Sequence, residues 1–172
     1  ITFLYVTHDQ GEAITMSDRI AVMNKGKIEQ LAPSKEIYSR PATKFVASFI
    51  GDTNLLDGTV IGMDGNDAIV EIQGLRVRVS TDRASPGPAA LSLRPEKIRL
   101  GERLPAGADT NMFEGRIAGV TFIGSILRYD VVLATGVRLL VQTPNDTGYV
   151  WPEGATLQVG WSTDSAVLLS AE

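Results

Sequence analysis

A change of rhythm at Gly51-Asp52-Thr53 limits what this chain can fold into more than any other feature. Just before it, Lys44-Phe45-Val46-Ala47-Ser48-Phe49-Ile50 carries apolar residues at helical spacing, and Gly51 is placed to end that helix. Beyond it the helical spacing is lost and short β-prone runs take over. The pattern predicts strands over residues 56–63, 67–72, 76–80, 89–94, 113–122, 126–133, 137–142, 157–161 and 166–169. Asp64-Gly65-Asn66, Gln73-Gly74, Pro86-Gly87-Pro88 and Thr135-Gly136 separate them as turns. Strands this closely spaced are expected to close into a barrel or sandwich.

The β-rich stretch also repeats itself. Leu56-Asp57-Gly58-Thr59-Val60-Ile61-Gly62 parallels Phe113-Glu114-Gly115-Arg116-Ile117-Ala118-Gly119 at a shift of 57 positions. Gly74-Leu75-Arg76-Val77 parallels Gly136-Val137-Arg138-Leu139 at a shift of 62. Two half-barrels of similar plan fit this better than one irregular sheet. Exposed strand edges in such a domain suit self-association.

Residues 1–51 read as alternating strand and helix. The apolar run over residues 1–6 is β-prone, and Thr7-His8-Asp9-Gln10 leads from it into a helix beginning Gly11-Glu12-Ala13-Ile14. A polar side chain at such a strand-to-helix turn is delivered to the carboxyl edge of a sheet, where α/β proteins keep ligands. His8 is the single histidine of the chain. Its imidazole can donate to a phosphate oxygen or orient a water there. Asp9 and Glu12 have capping-box spacing. Arg19 to Gln30 reads as a hairpin turning at Gly26, Pro33-Ser34 as a helix start with Ser34 as N-cap, and Pro41 as a restart.

Composition narrows the function classes. A net charge of −4 and a pI near 5.1 argue against a nucleic-acid binder, which would show a basic patch. Trp151 and Trp161 have Glu153 and Asp164 nearby, which favours rim or core packing over base stacking. The absence of cysteine removes disulfide scaffolds and thiolate metal sites, and no metal ligand set is expected. No run approaches the roughly 18 apolar residues that span a bilayer, and no basic leader precedes the first apolar stretch.

The string from Tyr5 to Ile28, with its T-H-D-Q-x-E-A pattern, resembles the switch-histidine region of ATP-binding-cassette (ABC) ATPases that drive importers. The later S-x-E-I-Y-x-x-P and F-V-A-x-F-I-G segments resemble the closing helices of the same cassette, with Asn54 and Leu55 at its exit. Asp57-Gly58-Thr59-Val60 and Leu93-Arg94-Pro95-Glu96-Lys97-Ile98 resemble the TOBE (transport-associated, OB-like) domain that follows it. The resemblance implies a mainly β chain. An OB-like TOBE barrel at 52–172 would follow a small α/β remnant of the cassette at 1–51. The spermidine/putrescine and maltose/glycerol-phosphate branches are the nearest.

In that family the histidine at the position of His8 contacts the γ-phosphate of ATP, so His8 is the expected catalytic switch of the full-length dimer. ATP and magnesium are implied for the longer parent. No cofactor is expected here, because neither G-x-x-x-x-G-K-[ST] nor L-S-G-G-Q occurs. The expected partners are a second copy, paired through the β domain, and transmembrane permease subunits, with the protein peripheral on the cytoplasmic side of the inner membrane. Arg94 and Glu96 are candidates for an interface or ligand contact, or for a turn in which Pro95 fixes φ. Thr121 and Ser125, beside Gly124, serve an alternative reading: a module that binds a small oxyanion. A self-sufficient hydrolase using His8 and Asp9 lacks a paired nucleophile.

Overall fold

Pairing of the short β-prone runs produces two curled five-stranded sheets in residues 53–171. The computed structural model describes residues 1–82, 84–107 and 109–171. Arg83, Ala108 and Glu172, all inside the stretch read as the β domain, lie outside the described residues. The chain divides into two units, Ile1–Asp52 and Thr53–Ala171.

In the first unit, helix α1 (Gln10–Met16) precedes a hairpin of β1 (Ile20–Asn24) and β2 (Lys27–Ala32), followed by α2 (Ser34–Ser39) and α3 (Lys44–Phe49). The two-residue hairpin turn places Lys25 at φ 47° and Gly26 at φ 78°, the left-handed pair that matches strand twist. Ile20, Val22, Ala32, Ile37, Val46 and Ile50 form the core. Gln30 ties the helices together: its Nε2 donates to the Arg40 carbonyl at 3.0 Å and its Oε1 accepts from the Ala42 N–H at 2.8 Å.

Three local expectations change here. Residues 1–6 are not a strand but exposed coil. An extended segment needs a neighbour for its N–H and C=O groups, and β1 and β2 pair only with each other. Ser34 is the first helical residue of α2, not its cap; Pro33 holds the cap position without a side-chain bond. Thr43 caps α3, its hydroxyl accepting from the Val46 N–H at 3.2 Å.

The second unit repeats one plan twice. A long strand β3 (Asn54–Asp64) leads a meander through β4 (Asp67–Ile72) and β5 (Leu75–Ser80), and β6 (Gly87–Leu93) returns to the free side of β3. Equally, β8 (Thr110–Ile123) leads β9 (Ile126–Leu133) and β10 (Arg138–Pro144), and β11 (Thr156–Ser162) returns to β8. The fifth strands are exchanged. After β6 and a 3-10 turn at Pro95–Lys97, β7 (Arg99–Gly101) pairs with β11. After β11 and a second such turn at Thr163–Ser165, β12 (Ala166–Ser170) pairs with β6.

Both long strands bend at a bulge, between Val60 and Gly62 and between Ile117 and Gly119. A bulge sharpens strand twist and lets each sheet curl. One core spans the two sheets, with Val70, Val77, Leu91 and Leu93 from one and Ile117, Leu133, Val159 and Trp161 from the other. Trp161 is fully buried and packs on Phe113 at 5.3 Å between ring centroids. No helix among the described residues is long and apolar enough to cross a membrane.

Candidate functional site

The turn carrying His8 is fixed by its neighbours. Asp9 is the N-cap of α1, its carboxylate accepting from the Glu12 N–H at 3.0 Å. Its own N–H donates to the Thr7 hydroxyl oxygen at 3.0 Å, closing the turn from the other side. Glu12 does not reach back to that amide, as the capping-box spacing predicts. Its carboxylate instead accepts from the Thr7 hydroxyl at 2.9 Å and from the Tyr5 hydroxyl at 3.1 Å. The Glu12 carboxylate holds the Tyr5 phenol above its ordinary value of 10.0, with Asp9 and partial desolvation adding to the effect. The Thr15 hydroxyl donates back to the Gly11 carbonyl and closes the helix.

His8 takes no part in this network and its ring is exposed. The chemistry available is that of a solvent-facing imidazole on a locally hydrogen-bonded turn: it can donate to an anionic oxygen or hold a water. Among the described residues no group of three or more His, Cys, Asp or Glu side chains is placed to hold a metal ion. Gln10, next to the capping residue, makes a contact that periodicity could not reveal. Its Oε1 accepts from the Gly51 N–H at 2.9 Å.

The other four candidates sit in the second unit as two pairs on different elements. Arg94, 5% exposed, directly follows β6 and is the N-cap of the 3-10 turn, which is closed by the Lys97 N–H donating to the Arg94 carbonyl at 3.0 Å. Glu96 lies on that turn, exposed. Thr121 lies opposite Arg128 near the end of the β8–β9 hairpin, and the Ser125 carbonyl in its turn accepts from the Asn145 N–H at 2.9 Å. Both are exposed. A groove of about 300 Å³ runs between Thr53–Leu56, Asp130–Val132 and Arg138–Leu140, and none of the four lines it.

Comparison with known proteins adds to this geometry. Residues 91–169 match the TOBE domain family. The whole chain is similar to spermidine/putrescine import ATP-binding proteins. It is 44% identical to one from Pseudomonas aeruginosa over 99% of this chain and 49% of that protein. For one from Nostoc sp. the identity is 43%, over 98% and 45%. For one from Rubrobacter xylanophilus it is 39%, over 100% and 46%. The chain thus spans about half the length of these relatives. The cytoplasmic molybdate-binding protein ModG, solved with molybdate bound, shares the fold at a TM-score of 0.54 and 14% identity, over 67% of this chain and 94% of that one. At that identity the likeness concerns the fold alone. The T-H-D-Q turn, the TOBE match and identity to these relatives along the whole chain lead to one assignment: the chain corresponds to the C-terminal region of ABC importer ATP-binding subunits.

Proposed function

We propose that His8 is the γ-phosphate switch of an ATP-driven importer whose solute is a polyamine of the spermidine/putrescine class. In this reading residues 1–51 close the ATPase cassette, and residues 52–172 are a regulatory and dimerisation module. The observation that carries it is the capped turn, where Thr7, Asp9 and Glu12 fix the backbone and leave the His8 ring outside their bonds. With the backbone of the turn already set, only the ring has to be ordered when it meets a phosphate, and preorganised donors supply most of the stabilisation in phosphoryl transfer.

ATP and magnesium belong to the full-length protein in this reading. So do its partners, a second copy and transmembrane permease subunits, and its place on the cytoplasmic face of the membrane. The test is turnover by the full-length protein assembled with its membrane subunits. His8→Ala is expected to lower ATP hydrolysis by about 10²–10³-fold, as loss of a preorganised donor does, with nucleotide affinity retained. Hydrolysis at the wild-type rate in that variant defeats the proposal. Uptake of labelled spermidine and putrescine, against glycerol phosphate and maltose, checks the solute class.

A further inference from the structure

Helix α1 has little to hold it in place. It is seven residues long and has no buried side chain, and only Ala13 and Ile14 lie partly against the core of the first unit. Packing alone therefore does little to fix the turn at its start. The long-range contact there comes from Gln10, the first residue of the helix, whose Oε1 accepts from the Gly51 N–H across 41 positions of sequence. That amide directly follows the C-cap of α3, where the Ile50 N–H still bonds the Val46 carbonyl at 3.0 Å. Gly51 has φ 69°, a left-handed conformation that glycine adopts without strain, and it follows Ile50, whose extended ψ of 94° ends the helix. Two residues later, at Thr53, the β unit begins.

We infer that Gln10 is a positioning residue: its bond to the Gly51 amide holds the His8 turn in register with the end of α3, one hydrogen bond from the junction at which the β domain starts. This rests on the reading of His8 as the γ-phosphate switch. The side chain does two things no neighbour can replace. It is long enough to leave the capped turn, and it offers an acceptor to a backbone donor. The Asp9 carboxylate already accepts from the Glu12 N–H, and the Glu12 carboxylate from the Thr7 and Tyr5 hydroxyls.

The test uses two variants at one position, with His8→Ala alongside. Gln10→Leu keeps the bulk and removes the acceptor, while Gln10→Glu keeps an accepting oxygen at the same reach. In the 172-residue chain, hydrogen exchange at the Gly51 amide is expected to speed up by about 5–10-fold in Gln10→Leu and to stay near wild type in Gln10→Glu. In the full-length protein assembled with its membrane subunits, Gln10→Leu is expected to lower kcat for ATP by about fivefold or more with KM unchanged, and Gln10→Glu to restore it. Wild-type kcat in Gln10→Leu, with His8→Ala inactive, overturns this inference alone. Equal loss in Gln10→Leu and Gln10→Glu also overturns it, because bulk rather than acceptance would then be at work. Wild-type turnover in His8→Ala overturns the reading beneath it.

Discussion

Asn54 and Asn111 make the same pair of bonds in opposite halves of the β unit. The Asn54 amide donates to the Leu140 carbonyl at 2.8 Å and its Oδ1 accepts from the Leu140 N–H at 2.7 Å. The Asn111 amide donates to the Arg78 carbonyl and its Oδ1 accepts from the Arg78 N–H, both at 2.8 Å. Each asparagine lies at the start of the long strand of one sheet, Asn54 as its first residue and Asn111 as its second, and satisfies the backbone of the last meander strand of the other. The 57-position shift that aligns Leu56–Gly62 with Phe113–Gly119 also aligns these two residues. The clamps therefore work against sliding of one sheet on the other, a job that non-directional apolar packing does poorly.

Removing either clamp leaves a half-buried N–H and C=O without this partner. Asn54→Leu and Asn111→Leu are each expected to destabilise the β unit by about 2–4 kcal/mol, more than a typical surface change. Urea unfolding followed by tryptophan fluorescence reads this directly, since Trp151 and Trp161 both lie in that unit. A cost below about 0.5 kcal/mol at both positions would show that the clamps are incidental.

Gly58 and Gly115 stand at matching places on the two long strands, yet they should not respond alike. A methyl group at Gly58 would lie 2.6 Å from the Glu71 carbonyl oxygen and 2.8 Å from Ile72 Cγ1. At Gly115 it would meet only side chains, Val159 Cγ2 at 2.6 Å and Val131 Cγ1 at 2.7 Å. Both valines are buried and stiff, so they too must shift, but a paired backbone carbonyl carries its strand with it and yields less. Both alanine variants are expected to cost about 1–3 kcal/mol through overpacking, with Gly58→Ala the more damaging. The reverse order in melting temperature would contradict this.

Arg78 offers a second comparison within one cluster. Its guanidinium lies 3.0 Å from Asp67, whose side chain is 10% exposed, and 3.3 Å from Asp64, which is 69% exposed. Solvent screens the second pair far more than the first. Asp64→Asn is expected to change stability by less than about 0.5 kcal/mol, and Asp67→Asn to cost about 1–3 kcal/mol. Equal effects in chemical denaturation would mean that burial does not separate the two pairs.

The raised Tyr5 phenol gives a pH signature at the His8 turn. Its folded value lies above the ordinary 10.0, so the protonated, hydrogen-bonded form is the one the turn favours. Whatever local order that bond supports is complete below the unfolded value and is lost as pH climbs through the folded one. Ultraviolet titration of phenolate absorbance, with Tyr5→Phe used to identify the signal, is expected to show this tyrosine ionising late. In Glu12→Gln it should return toward the ordinary range. An unchanged titration in that variant would remove Glu12 as the cause.

Period-two apolar patterning with glycine turns exposes most of the β architecture in advance: the nine expected strands are all present, with ends shifted by a few residues. The strand Arg99–Gly101 was not visible, because three residues are too few to show a period. Thr43 as a cap was hidden behind Pro41, which has the stronger helix-start signal. Asn54 and Asn111 resemble turn residues until the strand ends they join are known. The partner of Gln10 is a backbone amide, which leaves no mark in side-chain spacing.

The coil over residues 1–6 supplies the last prediction. Phe3 is 86% exposed, Leu4 95% and Val6 87%, a concentration of apolar surface that a stable free terminus does not need. The pattern is that of a buried parallel strand, and the relatives are about twice as long as this chain, so strand partners in the longer protein would account for it. Phe3→Ser with Leu4→Ser should then act differently in two settings. In the 172-residue chain the melting temperature should stay the same and self-association fall, because no packing is lost. In the full-length protein the same pair should destabilise the cassette by several kcal/mol, about 2–5 for each deleted large side chain. Sedimentation of the chain and thermal melts of both forms measure this contrast. Equal melting shifts in the two settings would mean that these residues gain no partners in the longer protein.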